Sequence, residues 1–163
     1  MHLLISDANI LIDIDVAGLL APMFSMNYTY GIPDILYHEE LKDSHAHILD
    51  YGLKVISLRS ETVANVEALI QKYQRCSRND LFALALAEQE SCLLLTGDES
   101  LKKAATKESV EVHGTIWLIT KMVASGKLDI EIAKNASKRM QAAGRRLPWS
   151  LLEEALSRVV VDL

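Results

Sequence analysis

Asp7, Glu40, Asp80 and Asp98 stand at the ends of predicted strands or in the opening turns of predicted helices, within local sequence that otherwise builds a core. Carboxylates gathered at one edge of a sheet repel one another unless a cation or protons neutralise them. Hard oxygen donors of this kind select Mg²⁺ or Mn²⁺ over zinc or copper. An ion so held polarises a phosphoryl oxygen and activates water, and a second ion roughly 3.5 to 4 Å away would stabilise the leaving oxygen. The chemistry implied is in-line hydrolysis of a phosphodiester.

These residues need elements to position them. His2 to Ser6 is a short apolar run that reads as a buried strand, and the segment from Asp7 to Leu20 then turns helical, placing Asp7 at the junction. Tyr28 to Ile32 is a second strand, and Pro33 is expected to open the next helix, with Glu39 and Glu40 one to two turns inside it. Leu53 to Leu58 is a third strand, followed by a helix from Ser60 or Thr62 to about Gln74. Another helix opens near Ser77, and its run Asp80-Leu-Phe-Ala-Leu-Ala-Leu-Ala is apolar over most of its circumference. Cys92 to Thr96 reads as a strand, Gly97 as a turn, and Asp98 as the residue before a helix. Val110 to Val112 is a last short strand, and beyond Gly126 the chain reads as helix, over Asp129 to Ala143 and Trp149 to Val159.

Strands alternating with helices imply a parallel sheet covered on both faces by right-handed crossovers. Ligands in such sheets bind outside the carboxyl ends of the strands, where Asp7 and Asp98 would both lie. A chain of 163 residues holds one core. We divide it into an α/β domain over residues 1–125 and a helical extension over 126–163, packed on the same domain.

The net charge of −5 argues against a wholly electrostatic nucleic-acid binder. Its distribution is uneven: residues 1–50 carry eight acids against Lys42 alone, whereas 132–152 hold Lys134, Lys138, Arg139, Arg145 and Arg146 with no acid. Ile10 to Phe24 is interrupted by Asp13 and Asp15, so it is not a membrane span, and the N-terminus lacks a basic flank. Cys76 and Cys92 lack zinc-site spacing and read as small half-buried thiols. A cytoplasmic protein is expected.

Five segments together resemble the successive motifs of the PIN-domain family: Ser6-Asp-Ala-Asn-Ile-Leu-Ile, Ile32-Pro-Asp-Ile-Leu-Tyr-His-Glu-Glu-Leu, Asn79-Asp-Leu-Phe-Ala-Leu-Ala-Leu-Ala, Leu94-Leu-Thr-Gly-Asp-Glu-Ser-Leu and Val112-His-Gly-Thr. The likeness covers roughly residues 1–120, and the tail with Ala143-Gly-Arg-Arg-Leu-Pro is similar to extensions of some bacterial members. It implies a three-layer α/β/α sandwich with a central, mostly parallel sheet. It also implies a Mg²⁺- or Mn²⁺-dependent ribonuclease, often the toxin of a toxin–antitoxin pair of the VapC type and often a homodimer. Carried over by position, Asp7 is the central metal ligand, joined by Glu40, Asp80 and Asp98, with Asn9 and Thr96 as secondary polar groups. Neighbours on an α-helix point about 100° apart, so only one of Glu39 and Glu40 faces inward, and Glu40 is favoured.

Other readings compete. Asp7, Asp80 and Asp98 are also ordinary helix-starting residues, a use of Asp worth about 1 kcal/mol. Asp13, Asp15, Asp34 and Asp43 fit no shared edge and read as solvated surface. The pair His45 and His47 diverges on a helix and finds no partners on a strand, so surface histidines are expected. Arg75, Arg78, Lys102 and Lys103 flank the acids and are candidates for holding RNA phosphates. The stretch from Lys134 to Arg146 would add a groove wall, bind an acidic partner surface, or simply be solvated. An aspartate-based phosphatase needs a DxD pair, and here the sequence is Asp7-Ala8-Asn9. A receiver-type phosphoacceptor needs an acid pair and a late Lys that are not evident. The second functional class is a non-catalytic binding or scaffold protein of the same fold with a vestigial metal site.

Overall fold

The computed structural model describes residues 2–159. Strands β1 (His2–Ser6), β2 (Tyr28–Pro33), β3 (Lys54–Ile56), β4 (Leu93–Leu95) and β5 (Val112–His113) form one parallel sheet in the order β3-β2-β1-β4-β5. The chain builds outward from β1 to β3, then returns to the other side of β1 for β4 and β5. The order therefore reverses between β1 and β4, and a crevice at their carboxyl ends is where such sheets bind ligands.

Helix α1 (Ala8–Val16) follows β1 at once. The single helix expected to Leu20 stops early because Gly18 takes φ +72°, a left-handed conformation that lets Leu19 N–H reach back to the Ile14 carbonyl at 3.0 Å. A short helix α2 (Leu20–Phe24) then leads into β2. Pro33 belongs to that strand rather than to the next helix: its ψ of 138° is extended, and it pairs in register with Ile56 at the strand's carboxyl end. The expected continuous helix after it is three pieces, α3 (Asp34–Leu36), a π-helical turn Tyr37–Leu41 and α4 (Lys42–His45), followed by a 3-10 segment Ala46–Tyr51.

Helices α5 (Ser60–Lys72) and α6 (Arg78–Glu90) cover one face, with α6 against β1, β2 and β4. Seven consecutive residues of α6, Leu81 to Ala87, are buried, which explains why its sequence lacks a polar stripe. Helix α7 (Glu99–Lys107) packs on α6 and β5. β5 begins two residues later than expected because Ser109 adopts φ +61° and Val110 N–H is spent closing α7 on Ala105. The opposite face carries α1, α2, α8 (Thr115–Ala124), α9 (Ile130–Ala142) and α10 (Trp149–Ser157). Met140, Leu152 and Leu156 from the last two helices are buried in the same core as Leu118 and Met122 of α8. The result is an α/β/α sandwich. Among the described residues no helix is long and apolar enough to cross a membrane.

Candidate active site

Asp7 follows the last residue of β1 and caps α1. Its N–H donates to the Leu95 carbonyl at 3.0 Å, so the pairing of β1 with β4 extends to it. Oδ1 accepts the Ile10 N–H at 2.9 Å, and Oδ2 accepts the Thr96 hydroxyl at 2.5 Å. The residue is 4% exposed. Burial pushes its carboxyl up to about 6, against the two hydrogen bonds and with help from the charges of Asp80 and Asp13.

Thr96, fully buried just past β4, spends its one hydroxyl twice, donating to Asp7 and accepting the Asp98 N–H at 3.1 Å. Asp98 caps α7 through Oδ1, which accepts the Leu101 N–H at 2.8 Å. Asp80 sits at the third position of α6 in a reciprocal cap: Ser77 Oγ accepts the Asp80 N–H at 3.1 Å and Asp80 Oδ2 accepts the Ser77 N–H at 3.3 Å. Its carboxyl is raised mainly by burial and further by Asp98. The three caps fix where the Asp7, Asp80 and Asp98 carboxylates point.

Glu39 and Glu40 lie on the π-helical turn, whose wider coil reduces the angle between neighbours. Both consequently reach the start of α6. Glu39 accepts the Asn79 side-chain N–H at 2.9 Å. The Glu40 carboxyl is raised first by partial burial, then by the charge of Asp80. The electrostatics thus link Glu40 to Asp80 and Asp80 to both Asp7 and Asp98. No three of these four acids bring carboxylate oxygens within 4.8 Å of one another.

A cleft of about 780 Å³ opens over Asp7 and Asp98. Asn9, Lys102, Arg145 and Arg146 line it, as do His113 and Trp117, whose rings stack at 4.4 Å with 9° between planes. Thr96 and Asp80 lie beside Asp7 but outside this lining, and Glu40, Arg75, Arg78 and Lys103 are not part of it either. Arg78 lies over the Phe82 ring at 5.3 Å. Lys102 stands 3.6 Å from Glu99.

Two acids read as solvated are not. Asp13 is buried, bonded by Arg145 Nε at 2.5 Å and by the Thr115 hydroxyl at 3.4 Å, while Arg145 Nη2 donates to Asn9 Oδ1 at 3.2 Å. Asp15 holds both His45 and His47, which were expected to be surface residues without partners. Nothing local in the sequence signals either contact, because the partners lie some 30 or 130 residues away. Trp117 gave no motif signal either.

A single parallel sheet between two helical layers, with its strand order reversing beside Asp7 and Asp98, defines an α/β protein with a crevice at the carboxyl ends of its strands. A PIN domain family model, DUF3368, matches residues 3–160, and the chain belongs to the PIN domain family. It is 31% identical over 98 residues to the endoribonuclease Nob1 of Methanocaldococcus jannaschii, a match covering 57% of this chain and 49% of that protein. The match thus takes in about half the length of that relative. A PilT N-terminus domain protein from the archaeon Sulfolobus solfataricus P2 shares the fold with a TM-score of 0.51 at 15% identity, over 75% of this chain and 93% of that one.

Proposed function

We propose that the protein is a Mg²⁺- or Mn²⁺-dependent endoribonuclease that hydrolyses RNA phosphodiester bonds. The observation that carries this reading is the meeting of Asp7 and Asp98 on Thr96 at the β1/β4 reversal, with Asp80 and Glu40 electrostatically coupled alongside. Membership of the PIN family and the likeness to an endoribonuclease support RNA as the substrate.

The donor set suits such an ion: four carboxylates supply hard oxygens and no thiolate or imidazole stands among them. Asp7, Glu40, Asp80 and Asp98 would hold it. When bound, such an ion supplies Lewis acidity and a water acidic enough to attack phosphorus near neutral pH. Asp7 is the ligand most dependent on it, since a buried carboxylate carries its charge at a cost that a cation offsets. Thr96 orients Asp7 by holding one of its oxygens, and Glu39 steadies Asn79 beside Asp80. Lys102, Arg145 and Arg146 lie where an RNA backbone would enter, with Arg75, Arg78 and Lys103 further out. Asn9 positions the Arg145 guanidinium.

The proposal extends to a cytoplasmic, homodimeric toxin of the VapC type held in check by an antitoxin protein, with a nuclease-like domain over residues 1–125 and a helical extension over 126–163, of which residues 144–148 line the cleft and 160–163 lie outside the described residues. The family pattern supports this. The test of the chemistry is an RNA carrying a single 2′-deoxy sugar at a mapped cleavage position, incubated with Mn²⁺. Attack by water leaves cutting at that position intact and yields 5′-phosphate ends. Loss of cutting there, with 2′,3′-cyclic phosphates at the other positions, would mean that the RNA 2′-hydroxyl is the nucleophile and that the proposed hydrolysis is wrong.

A further inference from the structure

A second cluster of ligand-type side chains lies on α1 away from the acids. Asp15, in the last turn of α1, holds His45 Nδ1 on Oδ2 at 2.6 Å and His47 Nε2 at 2.7 to 2.8 Å from its two oxygens. Among the described residues these three are the group of His, Cys, Asp or Glu side chains whose ligand atoms all lie within 4.8 Å of one another. Asp13, two positions earlier on the helix, faces the opposite way toward Arg145, so the cluster is separate from the cleft.

The backbone is built to bring the two histidines round. On a regular helix residues two apart diverge, but the chain changes from α4 to the 3-10 segment at His45, whose φ of −132° and ψ of 21° leave the helical region. Both rings turn onto one carboxylate as a result. Asp15 is 16% exposed, His45 19% and His47 50%, which leaves one open side for an ion and its water.

We propose that Asp15, His45 and His47 form a Zn²⁺ site. Two imidazoles and one carboxylate match the donors zinc takes, and three protein ligands leave a fourth position for water. In a tetrahedral site with bonds of about 2.0 to 2.1 Å, ligand atoms stand about 3.3 Å apart. The two His–Asp contacts need to open by only about 0.6 Å, and the two ring nitrogens, within 4.8 Å of each other, to settle at the same spacing, with the ion displacing any proton they share with Asp15. The ion would clamp the 42–51 segment onto the end of α1, just downstream of the turn that carries Glu40.

The site is tested by Zn²⁺ titration of the metal-free full chain, followed in the calorimeter and by the imidazole resonances of its five histidines. The expected result is that His45 and His47 shift while His2, His38 and His113 do not. One equivalent binds to the Asp7→Asn/Asp98→Asn variant, in which the acids contribute little. Adding His45→Gln or His47→Gln to that variant weakens binding more than about tenfold. Unmoved His45 and His47 resonances in the wild-type chain, or Zn²⁺ affinity unchanged by both glutamine substitutions, would overturn the proposal. RNA cleavage is not the readout, so this site stands or falls independently of the nuclease reading.

Discussion

Burial sets the properties of Asp7 more than its neighbours do, because a carboxylate so enclosed is harder to ionise than in the unfolded chain. The sign follows directly. The folded carboxyl titrates near 6 and the unfolded one near 3.8, so between those values the folded state holds more protons and stability falls as pH rises. In the metal-free protein, Asp7→Asn should remove that fall and, near pH 7.5, raise stability by roughly 1 to 3 kcal/mol, since Asn caps a helix as well as Asp does. Urea unfolding across the pH range in EDTA measures both effects. The same variant should lose most of the thermal stabilisation that Mn²⁺ gives the wild type. Thr96→Val keeps the shape but strands the Asp7 oxygen and the Asp98 N–H, and should cost about 1 to 3 kcal/mol by the same measurement. Asp7 and Asp98 were legible in the sequence because a polar residue interrupting apolar strand and helix patterns marks the junction itself. Asp13 and Asp15 were not, because whether a helical acid is solvated depends on what packs over it.

The helix starts are the devices that aim the acids. Ser77→Ala removes one half of the cap on α6 and should cost about 1 kcal/mol in urea unfolding. It should also lower Mn²⁺ affinity by freeing Asp80, an effect absent if the cap serves the helix alone. Most elements could be read from periodicity: α6 from its continuous apolar run, and β4 from Cys92 to Thr96 to within a residue at each end. The failures share a cause. Gly18, the π-helical turn at Tyr37–Leu41 and the shift at His45 are changes of backbone hydrogen-bonding register, and no side-chain period announces them. The π turn also removed the premise of a choice between Glu39 and Glu40, since both reach the head of α6.

At the scale of the whole molecule, the acidic first third and the basic tail meet: Arg145 joins Asp13 across 132 positions of sequence. Arg145→Ala leaves Asp13 buried without its cation and should destabilise the protein by about 1 to 3 kcal/mol. In a double-mutant cycle, Asp13→Asn should recover part of that loss. Alternating strands and helices made a parallel sheet legible, but strand order was not, because pairing is decided by crossovers that no local pattern records. The apolar helices after Val112 offer less free surface for a homodimer than their sequence suggests, as Leu118, Met122 and Met140 are spent in the monomer core. Ile132 and Leu151 remain exposed, and sedimentation velocity should show a dimer that Ile132→Asp and Leu151→Asp together weaken.

The most direct measurement of the central claim is the rate of RNA cleavage with Mn²⁺, comparing wild type with Asp98→Asn, a variant that keeps its helix cap. The account predicts Mn²⁺-dependent cutting abolished by EDTA and reduced at least about 100-fold by the substitution, with the variant still folded. Cleavage that persists in EDTA, or at wild-type rate in Asp98→Asn, would contradict it.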